Sequence, residues 1–250
     1  MNFTILRFDS IDSTNTEALR HARAGADEGI CIVARRQTAG RGRQGRTWTS
    51  PHDAGLYMSI VLLPAIDAKE LPLITMASAI AVYEMLTALG LSPDIKWPND
   101  LLVKEKKIGG ILAETTETGR GIAVIVGIGL NFTSESFSPE IAANATSIRA
   151  ELGRHVTFTG LEPLLLDKFG EWYGRLCSKE GAAEILEQWS NRSSYARGKH
   201  VRVILSNGTF TGVTDGLEPN GALRVAAEDN VLHTIQAGDI ERLRSLEQFN

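Results

Sequence analysis

The 250 residues contain only two cysteines, Cys31 and Cys177, with no Cys-x-x-Cys pair and no Cys/His cluster. Neither a disulfide framework nor a structural zinc is supported, and the chain reads as one that works in a reduced cytoplasm. No stretch reaches the roughly 18 uninterrupted apolar residues that a membrane helix needs, so no membrane partner is expected. The start, "MNFTILRFDSIDSTN", lacks a basic region followed by a long apolar run and a small-residue cleavage site, and nothing marks it for export. A surplus of positive charge is missing too: 26 Lys and Arg stand against 30 Asp and Glu. The net charge of -4 argues against a general nucleic-acid binder, whose footprint is normally basic.

What is present suits an ordinary globular protein. With 43% apolar and 22% charged residues, disorder is excluded over most of the chain. This length forms one large domain, or one large and one small.

Against the acidic background, residues 35 to 46 carry Arg35, Arg36, Arg41, Arg43 and Arg46 with no acid among them. The segment "TAGRGRQGRTW", 38 to 48, places Gly40, Gly42 and Gly45 in the G-x-G-x-x-G pattern. It departs from the phosphate-loop pattern only at Arg46. In both of those folds the glycines lead into a helix whose first amides bind phosphate. Here they run into the turn-rich "TWTSPHDAG" and the strand-like "GLYMSIVLLP". A kinase glycine loop is excluded as well, since no H-R-D catalytic loop or D-F-G follows. On charge alone the segment is a solvated basic loop.

The hydrophobic pattern predicts strands in "FTILRFDSI", "GICIVARRQ" and "GLYMSIVLLP", and a helix in "STNTEALRHARAG" ending at Gly25. One long, mostly buried helix is predicted over Lys69 to Gly90. Three apolar runs then follow in "LLVKEKKIGGILAETTE" and "GIAVIVGIGLNF". The expected class is α+β, a mixed or antiparallel sheet with helices on one face. From Pro139 a short helical connection leads to two helices broken near Gly181. The polar "NRSSYARG", 191 to 198, reads as a linker, and beyond it "SNGT" and "PNGA" are hairpin signals. Five short strands there suggest a small SH3-like barrel. The domains are drawn at 1–193 and 194–250.

Four segments carry the chemistry: "DSTN" at 12 to 15, "TAGRGRQGRTW" at 38 to 48, "KWPND" at 96 to 100 with "KKIGGIL" at 106 to 112, and "GIGLN" at 127 to 131. Taken singly, each has a plainer reading. "DSTN" is a helix N-cap, "WPND" a turn, "GIGLN" a strand bend, and Trp48 a core residue. In this order and spacing they resemble the biotin protein ligase family over nearly the whole chain. The resemblance implies a class II synthetase-like catalytic domain followed by the SH3-like barrel.

It also implies an ATP-dependent ligase. The biotin carboxylate attacks the α-phosphate of ATP, giving biotinyl-5'-AMP and pyrophosphate. A lysine of the biotin carboxyl carrier protein of acetyl-CoA carboxylase, or of another biotin-dependent carboxylase, then attacks that mixed anhydride. By the same resemblance Ser13, Thr14, Asn15 and Gln37 hold the ureido head of biotin, with Gly40, Arg41 and Gly110 close to the ligand. Arg43 contacts phosphate, assisted by Arg46. Trp48 lies beside adenine, while Asn99 and Asn131 lie on the nucleotide side. Asp100 faces the incoming lysine, and Lys107 bridges the biotin carboxylate and the α-phosphate. Mg²⁺ would be held mostly by phosphate oxygens and water, with few dedicated protein ligands, none of them assigned. The glycine–arginine segment is then expected to be a lid over the adenylate.

Some family members carry an N-terminal DNA-binding domain, whereas this chain reaches "DSTN" within 15 residues, so no repressor role and no DNA partner are expected. A homodimer through an exposed strand such as Gly121 to Asn131 stays open. Two rival readings are a lipoate ligase and a noncatalytic biotin or nucleotide sensor. The dense Arg/Gly segment and the barrel weigh against the first, and Lys107 with Arg43 and Asp100 against the second.

Overall fold

The computed structural model describes residues 1–135, 137–154, 160–205, 208–229, 231–236 and 238–242. Alternation of side chains along strands, two residues per repeat, sorts the sheet into two unlike faces. Strands β1 (Thr4–Phe8) and β2 (Ile30–Ala34) run parallel, joined by helix α1 (Thr14–Arg23). The remaining strands are antiparallel: β3 (Gly55–Leu62), β4 (Pro93–Lys96), β5 (Asp100–Val103), β6 (Lys106–Thr118) and β7 (Gly121–Asn131). The sheet order is β1-β2-β3-β7-β6-β5-β4, a mixed sheet as expected.

One face is a continuous core. Leu56, Met58, Ile60 and Leu62 of β3 and Val124, Val126, Ile128 and Leu130 of β7 pack with helices α2 (Leu73–Ala88), α5 (Leu161–Leu176) and α6 (Gly181–Ser190). Helix α2 is apolar nearly all round, which suits a helix buried between the sheet and α5. It starts at Leu73, not Lys69, because Pro72 occupies the cap position, where a missing N–H costs nothing. Gly90, at φ +92°, ends it.

The other face was not expected to carry a helix, yet Ala18 and Ala22 of α1 cover Ile32, Val61, Ala123 and Ile125 there. Ala18 and Ala22 spread no further; on the rest of this face Thr14 and Asn15 of α1 reach Ser59 and Gly127, and Tyr57, Gly110 and Gly129 line the site. Two further expectations change. Pro93–Lys96 is a strand, too short and too near prolines to stand out in the sequence. β7 is interior, hydrogen-bonded to β3 and β6 along its length, so it cannot serve as the exposed strand of a dimer.

Short helices α3 (Pro139–Asn144) and α4 (Ile148–Leu152) form the connection after β7. The C-terminal strands are β8 (Arg197–Leu205), β9 (Gly208–Leu217), β10 (Leu223–Ala227), β11 (Leu232–Ile235) and β12 (Asp239–Arg242), in the order β11-β10-β9-β8-β12. All neighbours are antiparallel, the five strands expected of a small SH3-like unit. In "PNGA", Gly221 takes φ +82° and the Asn220 side chain accepts from the Ala222 N–H, as a hairpin turn requires. Ser206 and Asn207 of "SNGT" lie outside the described residues; the flanking Leu205 and Gly208 are paired.

The 191–198 stretch is not a solvated linker. Ser193 donates to the Ile95 carbonyl at 2.6 Å, Ser194 binds the Asp94 carboxylate through both N–H and hydroxyl, and Tyr195 is buried. The hydroxyls of Ser193 and Ser194 both find partners on β4.

Candidate active site

Ser13 holds the N-cap position of α1 but makes no side-chain cap hydrogen bond. Its side chain and that of Thr14 are buried against the open half of the sheet. Asp12 instead accepts from the Ser13 N–H at 2.7 Å. The Thr14 N–H donates to Gln37 Oε1 at 2.8 Å, and Gln37 Nε2 donates to Ser50 Oγ at 2.7 Å. Ser59 Oγ lies 2.7 Å from Thr14 Oγ1 and 2.6 Å from Asn15 Oδ1, so one strand hydroxyl ties both helix residues to β3. The result is a tight group of alternating donors and acceptors on an otherwise apolar sheet.

The glycine–arginine segment folds as a narrow hairpin. Trp48 N–H donates to the Gly40 carbonyl, Gly42 N–H donates to the Arg46 carbonyl, and Arg41 bridges Thr47. Its tip is a single turn at Arg43–Gly45, where Gln44 (φ 55°) and Gly45 (φ +73°) lie in the left-handed region. Such a tip makes glycine at 45 useful for conformation. The arginines reach across the cleft: Arg41 Nη2 donates to Glu114 at 2.6 Å, and Arg43 Nη1 lies 3.4 Å from Asn99 Oδ1 and from the Gly238 carbonyl.

On the cleft floor Lys107 Nζ is 2.6 Å from Asp100 Oδ1 and 5.3 Å above the centre of the Trp48 ring. Both charged groups are only partly exposed, at 34% and 23% of the side chain. The glycines beneath explain the close packing. A Cβ on Gly110 would stand 3.3 Å from Lys107 Nζ, one on Gly129 2.6 Å from the Trp48 indole, and one on Gly127 2.1 Å from Asn15. "GIGLN" is therefore regular strand, with Gly127 and Gly129 on the cleft side, and not a bend. Burial, reinforced by the Asp53 charge, raises the Tyr57 phenol above its ordinary value, so it stays a neutral donor, to the Pro51 carbonyl.

A cavity of about 140 Å³ occupies the space between hairpin and sheet, and every residue singled out from the sequence except Gly40 and Asn131 lines it. Gly40 sits at the hairpin base, where a Cβ would meet the Trp48 carbonyl at 2.3 Å. Asn131 lines an adjoining cavity of about 200 Å³ with Trp48, Lys107, Phe137, Ile141 and Ala145. Its amide donates to the Thr146 and Lys107 carbonyls at 3.0 and 3.3 Å, which fixes the backbone that carries Lys107. Ser50, Tyr57, Ser59, Glu114, Gly127 and Gly129 were not singled out. Ser59 is one hydroxyl in an apolar strand and Glu114 one charge in a polar run. Only the pairing of β3, β6 and β7 brings them to the cleft.

Residues 7–131 match the Biotin/lipoate A/B protein ligase family, and residues 197–243 match the Biotin protein ligase C terminal domain. The chain is 37% identical over 239 residues to the bifunctional ligase/repressor BirA of Bacillus spizizenii, covering 93% of this chain and 72% of that protein. It is 34% identical over 221 residues to the biotin–acetyl-CoA-carboxylase ligase of Paracoccus denitrificans, covering 85% and 90%. Its fold superposes on the biotin protein ligase from Aquifex aeolicus in complex with biotin and ATP with a TM-score of 0.82, at 28% identity over 97% of this chain and 99% of that one. The family matches, the relatives and the shared fold agree: the chain belongs to the biotin protein ligase family.

Proposed function

We propose that the protein joins biotin to ATP as biotinyl-5'-AMP and then passes the biotinyl group to a lysine of the biotin carboxyl carrier protein of acetyl-CoA carboxylase. The observation that carries this reading is Lys107, held at 2.6 Å by Asp100 on the cleft floor beneath a hairpin that brings Arg41 and Arg43 over it. Two anions must meet for the first step, the biotin carboxylate and the α-phosphate. An ammonium between them neutralises both, and Arg43 adds a second cation where charge builds in the transition state. The carboxylate oxygen bonds to the α-phosphorus and pyrophosphate leaves.

The buried group formed by Ser13, Thr14, Asn15 and Gln37 suits a urea, which needs both donors and acceptors once out of water. Arg41 and Gly40 close that end, and Gly110 lets the ligand approach the sheet. Trp48 divides the two cavities, and the second, with Asn131, is the natural seat for the nucleotide; Asn99 and Arg46 belong to the phosphate side. When Lys107 turns to the anions, Asp100 is released to orient the acceptor amine and take its proton, while AMP leaves. Among the described residues no group of three His, Cys, Asp or Glu gathers to hold a metal. In the proposed reaction Mg²⁺ would come with the ATP phosphates, as part of the substrate.

We draw the working units at 1–193 and 194–250. No helix among the described residues is long and apolar enough to cross a membrane, and a cytoplasmic setting accords with the substrates proposed.

The test is ATP-dependent transfer of labelled biotin to a biotin-acceptor domain, with lipoate as competitor. Lys107→Ala should lower kcat by about 10²- to 10³-fold, the usual loss when a preorganised cation is removed from a developing anion. No transfer by the wild type, or preference for lipoate, would overturn the reading.

A further inference from the structure

Glu114 stands on the cleft side of β6, and its Oε2 accepts two hydrogen bonds, from Arg41 Nη2 at 2.6 Å and from Asn15 Nδ2 at 2.7 Å. The two donors come from opposite walls. Asn15 is a buried residue at the start of α1, fixed by Ser59 Oγ at 2.6 Å and seated in the gap that Gly127 leaves. Arg41 belongs to the first limb of the glycine–arginine hairpin, 73 residues before Glu114 in the chain. The ion pair is partly shielded, with 39% and 27% of the two side chains exposed. Glu114 does not line either cavity of the site. It touches no reacting group, and its carboxylate is occupied by the two residues proposed to enclose biotin.

We propose that Glu114 is a positioning residue, a latch that fastens the hairpin to the rigid α1–β3–β6 frame and sets how long the biotinyl adenylate stays enclosed. The proposal rests on the biotin-activating reading of this cleft. Fastening at Arg41 complements the contacts of Arg43 with Asn99 and Gly238 farther along the hairpin, so the roof is held at both limb and tip. With the limb released, the hairpin opens more often, water or bulk solution reaches the mixed anhydride, and ATP is consumed without transfer. A pair of this exposure is worth less than a buried one, which limits the effect to about two- to fivefold.

The experiment compares wild type, Glu114→Gln, Glu114→Leu, Arg41→Ala and the double variant Arg41→Ala/Glu114→Leu. Three quantities are measured with biotin, MgATP and an acceptor domain: pyrophosphate released per biotin transferred, KM and kcat for biotin, and deuterium exchange of residues 40–48. The expected result for Glu114→Leu is about two- to fivefold more pyrophosphate per transfer, a raised biotin KM with kcat changed less than twofold, and faster exchange confined to the hairpin. Glu114→Gln should be intermediate, since the amide oxygen still accepts. The double variant should be no worse than the more affected single one. Unchanged coupling and unchanged hairpin exchange in a folded Glu114→Leu protein overturn the latch. So does an equal loss of kcat without a KM effect. If the wild type itself releases no biotin-dependent pyrophosphate, it is the biotin-activating reading that fails, and the exchange comparison alone then decides whether Glu114 holds the hairpin.

Discussion

Gly129 shows how much of the site depends on atoms that are missing. Strand β7 runs under the indole of Trp48, and a methyl group at 129 would fall 2.6 and 2.8 Å from two indole atoms. Contacts that short are not tolerated, and the backbone of a strand paired on both sides cannot retreat. The indole has to move. Since Lys107 lies over that ring and both cavities share it, the displacement reaches the second cavity, the proposed nucleotide seat, and the ammonium together. Gly129→Ala is expected to fold, to raise the KM for ATP by about tenfold or more, and to shift Trp48 fluorescence. ATP kinetics like those of the wild type would show that the indole does not set the nucleotide seat. The charged and aromatic residues proposed for the chemistry could be picked out only because four segments together resemble one family; alone, each reads as a cap, a turn, a bend or a core residue. Of the glycines that make room for them, Gly110 was placed beside the ligand by the resemblance, whereas Gly127 and Gly129 read only as part of a strand bend, since space is a property of the packed sheet and not of the local chain.

At the scale of elements, the pattern of apolar residues located most strands and helices but not which face each covers. Helix α1 is an example: its hydroxyl start and the stop at Gly25 mark a helix, yet only the parallel pairing of β1 with β2 puts it on the cleft face, where its first turn lines the cavity. Similarly α4 looked like a mere connection. Its Glu151 accepts from Thr146 Oγ1 at 2.7 Å and pairs with Lys104 at 2.9 Å, while Thr146 N–H donates to the Lys107 carbonyl. Burial alone would raise the Glu151 carboxyl, but the hydrogen bonds from Thr146 and Lys104 and the charges of Lys104 and Lys106 outweigh it and leave it below its ordinary value. A carboxyl depressed in the folded state stabilises above its unfolded pKa, about 4.3, and that contribution is lost as pH falls through the folded value. Glu151→Gln should therefore lower Tm at pH 7, with the gap from wild type narrowing as pH drops below about 4. A gap that stays constant from pH 7 to pH 3 would mean that the charge of Glu151 is not what holds α4 beside Lys107.

On the scale of the whole molecule, the question is whether the C-terminal sheet is a separate bead or part of one cooperative structure. The polar 191–198 stretch suggests the first, and its hydrogen bonds to β4, buried at Ser193 and exposed at Ser194, support the second. The apolar core runs without a break from Leu73, Ile80 and Ile95 into Val201, Val203, Leu223 and Val225. One polar bond crosses inside it: Trp97 Nε1 donates to the Gly221 carbonyl at 3.0 Å, with Trp97 buried. Trp97 is followed by Pro98 and Asn99, so the same turn that receives the C-terminal sheet also presents Asn99 and Asp100 to the cleft. Trp97→Phe keeps most of the ring contact but leaves the Gly221 carbonyl without this donor, a loss of about 1 to 3 kcal/mol when buried. Unfolding in urea, followed by far-ultraviolet circular dichroism and by a fluorophore attached at a surface position of β9, should give one coincident transition for wild type. The variant should unfold at lower urea, still as one transition, and with reduced kcat, because a loosened turn misplaces Asp100. Two separate transitions in the wild type, or a Trp97→Phe variant that loses stability in the C-terminal sheet alone and keeps full activity, would show that the sheet is attached to the catalytic unit without supporting it.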